Sequence, residues 1–514
     1  MVEKYSYITT PIYYVNDKPH IGHMYTSLAA DIYNRFKKLD GYNTIFATGT
    51  DEHGQKILKK AEEQDITPQQ LVNNISKTFA ELTPLLNLSN TDFVRTTEHK
   101  HKLAVQHLWQ VLEEKGFIYL DKYSGWYAIR DEAYYNEDEL TTGKQGEKIA
   151  PSGAVAEWKE ESSYFFKMSA LQEKLLAYYS KHSNFIAPKS RYNEIKSFVK
   201  SGLKDISISR SSFHWGIPVP KDSQHIVYVW LDALTNYLSV LGYPDTNSEK
   251  YKHYWQEAVH LVGKDIIRFH GVYWPAFLLA AELPLPKRIF AHGWWLNEGE
   301  KISKSLGNVI SPNTLIKKYG LDQTRYFLFK EITFGNDGNF SHQAMVSRIN
   351  NELANEYGNL LQRSSALVNK HFKGILNNEG LSATHRKFLN SFNSLLKNEL
   401  TTLIDQQDFS TYLEKIWEKI RYANSYINRH APWNLIKIGN KEGAALELYF
   451  IMEIIRRVTI LLQPFIPNAT ANIFQQLNIP EEKRCFSYLN KYLTKGHKIN
   501  PPEPIFLKYQ EEEV

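Results

Sequence analysis

A parallel α/β sheet, broken by an inserted segment and followed by a helical bundle, is the fold this sequence predicts, on three observations. The first lies at the N-terminus, where an apolar run over Tyr5 to Thr10 leads through Pro19-His20-Ile21-Gly22-His23 to apolar positions at Met24, Leu28, Ile32 and Phe36. Those positions share one helical face, and a second apolar run follows over Thr44 to Thr48, so strand, helix and strand form a βαβ unit of Rossmann type. The second is the return of strand signals at His225 to Trp230, Ala258 to Val262 and Arg288 to Ala291, after a Tyr-rich, charged, turn-rich stretch. The third is a change to wholly helical patterning from about Met345. Residues 1–118 and 226–345 are thus expected to be two halves of one α/β domain, 119–225 an insertion, and 346–514 a helical domain with a tail.

At 514 residues the chain is too long for a single core. With 42% hydrophobic and 23% charged residues it has the composition of an ordinary globular protein. No segment approaches the roughly 18 consecutive apolar residues of a membrane span. The N-terminus carries Glu3 and enters a strand at once, unlike a signal or transit peptide, so a cytoplasmic location and no membrane partner are expected. Cys485 is the one cysteine, which excludes disulfides and argues against thiolate metal sites; it reads as a half-buried thiol. The net charge of +5 is weak, but an excess of 4 falls after Ser341 and only 1 before it, so a polyanion suits the C-terminal third better.

In chain order, His20 and His23 open a helix that Gly41 stops. A helix N-terminus offers N–H groups and a dipole that favour a phosphate, and Gly22 would let an anion approach the backbone. The Thr44–Thr48 strand ends in Gly49-Thr50-Asp51-Glu52-His53-Gly54, where a parallel sheet gathers ligands. Asp51 there either holds an ammonium group or caps a helix from Gln55. Between 119 and 225, the alternation in Gly125 to Ile129 suggests small antiparallel strands, with no catalytic constellation. A helix start at Leu231 to Tyr237 follows the His225–Trp230 run. His270 lies on one helical face with Ile266, the usual mark of a core histidine. After Arg288–Ala291 come His292, a turn at Asn297 to Gly299, and Lys301-Ile302-Ser303-Lys304-Ser305. Gly307 keeps that loop mobile, and Ser311-Pro312 opens the next helix. Two lysines and two serines there form a phosphate clamp or a plain solvated loop.

In the helical part Ile349, Leu353, Leu360 and Leu367 form an apolar stripe, while Glu352, Glu356, Asn359 and Arg363 follow another face. Helices at Leu413 to Ile427 and Ala444 to Leu462 flank Ala431-Pro432-Trp433, where Pro432 opens a helix and presents Trp433 outward. That indole is either a core anchor or a platform for a nucleobase. Pro501-Pro502-Glu503-Pro504 is extended surface chain.

Each histidine and lysine motif is modest alone, but both occur in order, each at a strand end of one α/β sheet. Together they resemble the two signatures of the class I aminoacyl-tRNA synthetases. Thr9-Thr10-Pro11-Ile12-Tyr13-Tyr14, Trp230-Leu231-Asp232-Ala233, Asn359 with Arg363, and Ala431-Pro432-Trp433 extend the likeness to the methionyl-tRNA synthetase family over essentially the whole chain.

The resemblance implies ATP-dependent activation of L-methionine to methionyl-adenylate and its transfer to the 3′ end of tRNA(Met), releasing AMP and diphosphate. It implies a Rossmann-type catalytic domain, an inserted connective domain and a helical-bundle anticodon-binding domain. His20, His23, Lys301 and Lys304 would be catalytic, binding ATP and its magnesium with Gly22, Asp265, His292 and Ser303. Ile12, Tyr14, Asp51, Trp230, Ala233, Leu234, Tyr237, Ile266 and His270 would hold methionine, Asp51 pairing with its ammonium. Leu234 stands where other members have proline. A polar His270 near the sulfur would help reject leucine and isoleucine, because shape alone discriminates only about 1–3 kcal/mol per methylene. Asn359, Arg363 and Trp433 would read the anticodon.

Many members carry a zinc knuckle in the insertion, but Ala128 and Asp131 stand where its Cys-x-x-Cys pair would begin, so no metal is expected. The chain ends soon after the bundle, which points to a monomer. Synthetases for leucine, isoleucine or valine are rivals, but they carry a much longer insertion. A nucleotidylyltransferase would need no helical extension, and a non-catalytic tRNA-binding paralogue would not need His20, His23, Lys301 and Lys304 intact.

Overall fold

The computed structural model describes residues 3–511 except 17, 132, 144–145, 298–299, 302–309 and 378, with backbone only at 123, 133–134, 160–161, 297 and 300–301. Two compact units emerge: residues 5–19 with 44–292, and residues 1–4 with 20–43 and 293–514.

The 5–292 unit is built on a seven-stranded sheet ordered Ile186–Ala187, Arg288–His292, Ala258–Gly263, Tyr5–Thr9, Asn43–Asp51 and Tyr13–Tyr14, with Asp92–Arg95 also on Asn43–Asp51. Val262 pairs parallel with Ala291, and Thr9 with His260. Continuous burial of Ala258 to Val262 explains its unbroken apolar run, since a parallel strand is covered on both faces. Trp109, Trp255 and Trp274 fill the core around it. Asp51, Gly263 and His292 all end their strands, so the carboxyl edge of the sheet carries polar groups.

The run at His225–Trp230 is not a strand of this sheet. Asp222–Val227 lies in a separate three-stranded antiparallel sheet, and Val229–Ser239 is already helical, so Trp230 projects from a helix. Apolar residues on a short buried strand and a buried helix start look alike in sequence.

Within 119–225, Gly125 to Ala128 belong to a long strand, Ile118–Ala128, antiparallel to Val155–Phe166. Ile186–Ala187, from the same stretch, pairs parallel with Ile289 and Phe290 at the main sheet's edge. At the hairpin's far end Ala128, Ala150, Ala154 and Ala156 pack into a small cluster.

In the other unit, the Ile21–Leu39 helix ends at Asp40, and Gly41 follows at φ +81°. Its buried Asp31 pairs with Arg325 at 2.6 Å, and Arg325 also donates to the carbonyls of Pro464 and Phe465. Both partners are fully enclosed, so truncating one would strand a buried charge. The helical region includes Phe409–His430, Pro432–Lys437 and Lys441–Leu462. Arg348–Gly358 winds as a π-helix before Asn359–Phe372, a widening that apolar spacing did not reveal. Among the described residues, no helix is long and apolar enough to cross a membrane.

Candidate active site

His20 caps the Ile21–Leu39 helix. Its Nδ1 accepts from the Gly22 N–H at 3.1 Å, and the His20 N–H donates to His23 Nδ1, also at 3.1 Å. The Ile21 N–H donates to Ile310 O, just past the lysine loop. The first amides of this helix are therefore engaged, and are not open donors for an anion as the helix start alone suggests. With both Nδ1 atoms accepting, a neutral ring must carry its proton on Nε2. The rings lie 3.9 Å apart between centroids. Burial first, then His20, holds the His23 pKa well below the ordinary histidine value. Gly22 is required by packing, since a Cβ there would come within 2.9 Å of the His20 ring.

Lys301 ends a short strand, Glu300–Lys301, that pairs with Trp295–Asn297. Trp295–Asn297 in turn runs parallel to Gly338–Phe340. Ser303 and Lys304 lie outside the described residues, as does the Lys301 side chain. Ser311 and Pro312 open the Pro312–Tyr319 helix as expected.

The other expected residues lie in the unit of residues 5–19 and 44–292. Tyr14 lies directly across from Asp51 in the parallel register, and Asp51 is 7% exposed. Asp51 does not cap the following helix; Gly54 holds that position at φ +117°. Glu52 and Arg95 pin the turn beside it through a paired contact at 2.6 and 3.0 Å.

On the Val229–Ser239 helix, Trp230, Ala233, Leu234 and Tyr237 form one stripe at helical spacing. Trp230 stacks on Phe269 at 3.6 Å and 7°, edge-on to His270. Buried His270 places Nδ1 3.0 Å from Ile266 O and Nε2 2.7 Å from the Tyr237 hydroxyl. A carbonyl only accepts, so Nδ1 donates and Nε2 takes the Tyr237 proton. Burial pushes the His270 pKa down to about 4, so the pair is neutral near pH 7. Ile12 packs against the same core. Asp265, exposed, and buried His292 lie past the ends of adjacent strands, with Gly263 paired to His292.

The insertion carries no catalytic constellation in its sequence, yet buried Arg210, with Trp215 and Phe213, joins His53, Gly54 and Tyr228 around a small, partly open pocket. Arg210 donates to Ser209 O and Ser207 Oγ and lies 4.7 Å over Tyr228. Only the fold brings positions 210 and 53 together, so no sequence spacing could have found the pair.

In the helical region Asn359 is exposed, while half-buried Arg363 donates to Asn424 and Asn428 Oδ1 at 2.9 and 3.0 Å. Trp433 is half-buried in the Pro432–Lys437 helix, behind Ala431 at φ +39°.

Two family models match these features. The class I tRNA synthetases (M) match residues 6–145 and 144–365, and the anticodon-binding domain of methionyl tRNA ligase matches 383–514. The fold and the two histidine and lysine elements thus define a class I tRNA synthetase. A methionine–tRNA ligase of Rickettsia bellii is 49% identical over 98% of this chain and 99% of its own length. One of Brucella suis is 47% identical over 99% and 98%. Among solved structures, Mycobacterium tuberculosis methionyl-tRNA synthetase with methionyl-adenylate superimposes at TM-score 0.95, with 43% identity and 98% and 99% coverage. The chain belongs to the methionine–tRNA ligase family.

Proposed function

We propose that the chain joins L-methionine to tRNA(Met) using ATP. The methionine carboxylate attacks the α-phosphorus, the bond to diphosphate breaks, and methionyl-adenylate forms; the methionyl group then passes to the tRNA 3′ end, releasing AMP. The observations that carry this reading are the buried carboxylate of Asp51 at the carboxyl edge of the sheet and the neutral Tyr237–His270 hydrogen bond. A relative of the same fold holds methionyl-adenylate.

Asp51 would pair with the α-ammonium, beside Tyr14. Trp230, Ala233, Leu234, Ile12 and Ile266 would surround the thioether, a soft group suited to aromatic and aliphatic walls. The uncharged Tyr237–His270 pair would offer the sulfur a dipole without a charge it could not neutralise. His20 and His23, each with its proton on Nε2, would donate to phosphate oxygens where charge develops. Lys301 and Lys304, with Ser303, would add cationic and hydroxyl donors to ATP supplied as its magnesium complex. Asp265 and His292 would contact the ribose and adenine. None of these groups acts as a covalent nucleophile.

Zinc does not fit the insertion. Ala128 is buried among alanines, and Asp131 is engaged by Tyr135 and Ser152. Structural zinc needs four good ligands. Metal analysis of purified protein is expected to find no stoichiometric zinc, and stoichiometric zinc would contradict this.

For tRNA, two neutral amides hold the Arg363 guanidinium, leaving its charge for a base or phosphate, and Asn359 and Trp433 would complete anticodon reading. A cytoplasmic monomer suits this reading. Charging of tRNA(Met) with labelled methionine tests it; absence of charging would reject it. Trp433→Ala should lose about 1–3 kcal/mol of base stacking, cutting charging about 5- to 150-fold while sparing ATP–diphosphate exchange. Equal loss of both activities would assign Trp433 to folding instead.

A further inference from the structure

Asp232 belongs to none of the groups that bind methionine, ATP or tRNA in the proposed function, yet it is a fully buried carboxylate at the start of the Val229–Ser239 helix. Its two oxygens serve two histidines from distant parts of the chain. His53 Nδ1 lies 2.6 Å from Oδ2, and His101 Nε2 lies 2.8 Å from Oδ1. All three side chains are buried. Burial pushes the Asp232 carboxyl up, but the two imidazoles, His53 foremost, outweigh this and hold its pKa below the usual range. It therefore stays an acceptor, and both imidazoles donate to it.

With its Nε2–H given to Asp232, a neutral His101 ring accepts at Nδ1 from the Ser239 hydroxyl, 3.1 Å away. His101 is thereby fixed at both nitrogens, and through Ser239 it grips the same helix that carries Asp232. His53 has only Nδ1 bound to the carboxylate, and its ring lines the cavity with Trp215 and Arg210.

We propose that Asp232 is a positioning residue for methionine: its carboxylate locks the strand-end turn carrying Asp51 and His53 to the helix carrying Trp230, Ala233, Leu234 and Tyr237. The inference rests on the proposed methionine site. The physical need is plain, because a binding constellation drawn from a strand end and a helix holds its geometry only if the two cannot slide. Hydrophobic packing alone fixes such a pair loosely, whereas a buried carboxylate with two charge-assisted partners has one satisfactory arrangement.

The test is ATP–diphosphate exchange by the full-length protein with methionine and ATP varied separately. Asp232→Asn keeps the volume but gives one oxygen and one NH2, so only one histidine keeps its present bond. The KM for methionine should rise about ten- to a hundredfold, the loss expected for one buried charge-assisted hydrogen bond, with the KM for ATP and kcat within about twofold. His101→Leu should act in the same direction, while His101→Gln, which retains an N–H donor, should restore methionine KM to near the parent value. A methionine KM unchanged in both Asp232→Asn and His101→Leu would overturn the proposal. So would a uniform loss of activity at unchanged KM values, or failure of His101→Gln to rescue. Wild-type protein with no methionine-dependent exchange would instead reject the underlying methionine reading, so the two failures are separable.

Discussion

Asp51→Asn is expected to lower kcat/KM for methionine in ATP–diphosphate exchange by roughly 10²–10³-fold, because an ammonium brought against a buried carboxylate loses about 3–5 kcal/mol when that carboxylate is removed. The effect should fall mainly on methionine KM, and the KM for ATP should hardly move. The substitution preserves shape, and Asp51 sits in a turn held independently by Glu52 and Arg95, so the thermal midpoint should change little. Methionine KM unchanged in Asp51→Asn would remove Asp51 from the amino-acid site and leave its burial without a chemical role.

The second large effect is at His20. His20→Asn retains an oxygen able to cap the Gly22 N–H, since asparagine is a favourable N-cap, but it cannot present a donor at the imidazole Nε2 position. Loss of one donor aimed at developing phosphate charge typically costs about 10²–10³-fold in kcat. The predicted outcome is that loss in adenylate formation, with methionine KM and helix stability nearly unchanged. A stable His20→Asn protein with full kcat would show that the histidine only caps its helix.

Both predictions draw on residues visible in the sequence, and the difference between what was visible and what was not follows the range of the interactions. Local signals were readable: the helix after His20, its stop at Gly41, the Pro312 opening and the apolar run at Ala258–Val262 all depend on neighbours in the chain. The family resemblance points to Asp51, Tyr237 and His270, but not to the hydrogen bond that makes the last two a neutral pair, because that depends on where a carbonyl and a hydroxyl meet. The two-residue strand Tyr13–Tyr14, which sets Tyr14 opposite Asp51, is too short to leave a pattern. The Asp232 link from His53 to His101 joins residues far apart in sequence, as does the Arg210 cavity, and neither has a local signature. At Trp230 the sequence pointed the wrong way, since a buried helix start following a short strand reads as one continuous strand.

The helix start at His20 shows how a correct motif can carry an incomplete reason. A pair of histidines at a helix N-terminus suggests open backbone donors for phosphate, yet here the imidazole Nδ1 atoms accept from the first amides. In the proposed function the anion-binding chemistry moves from backbone to side chain, which is why His20→Asn can separate capping from catalysis.

The most direct measurement is ATP–diphosphate exchange by the wild-type protein with each of the twenty amino acids in turn. Exchange with methionine far above that with leucine, isoleucine or valine is the expected result. Exchange driven by one of those aliphatic amino acids but not by methionine, or no exchange with any, would contradict the proposed methionine site at Asp51 and the neutral Tyr237–His270 pair.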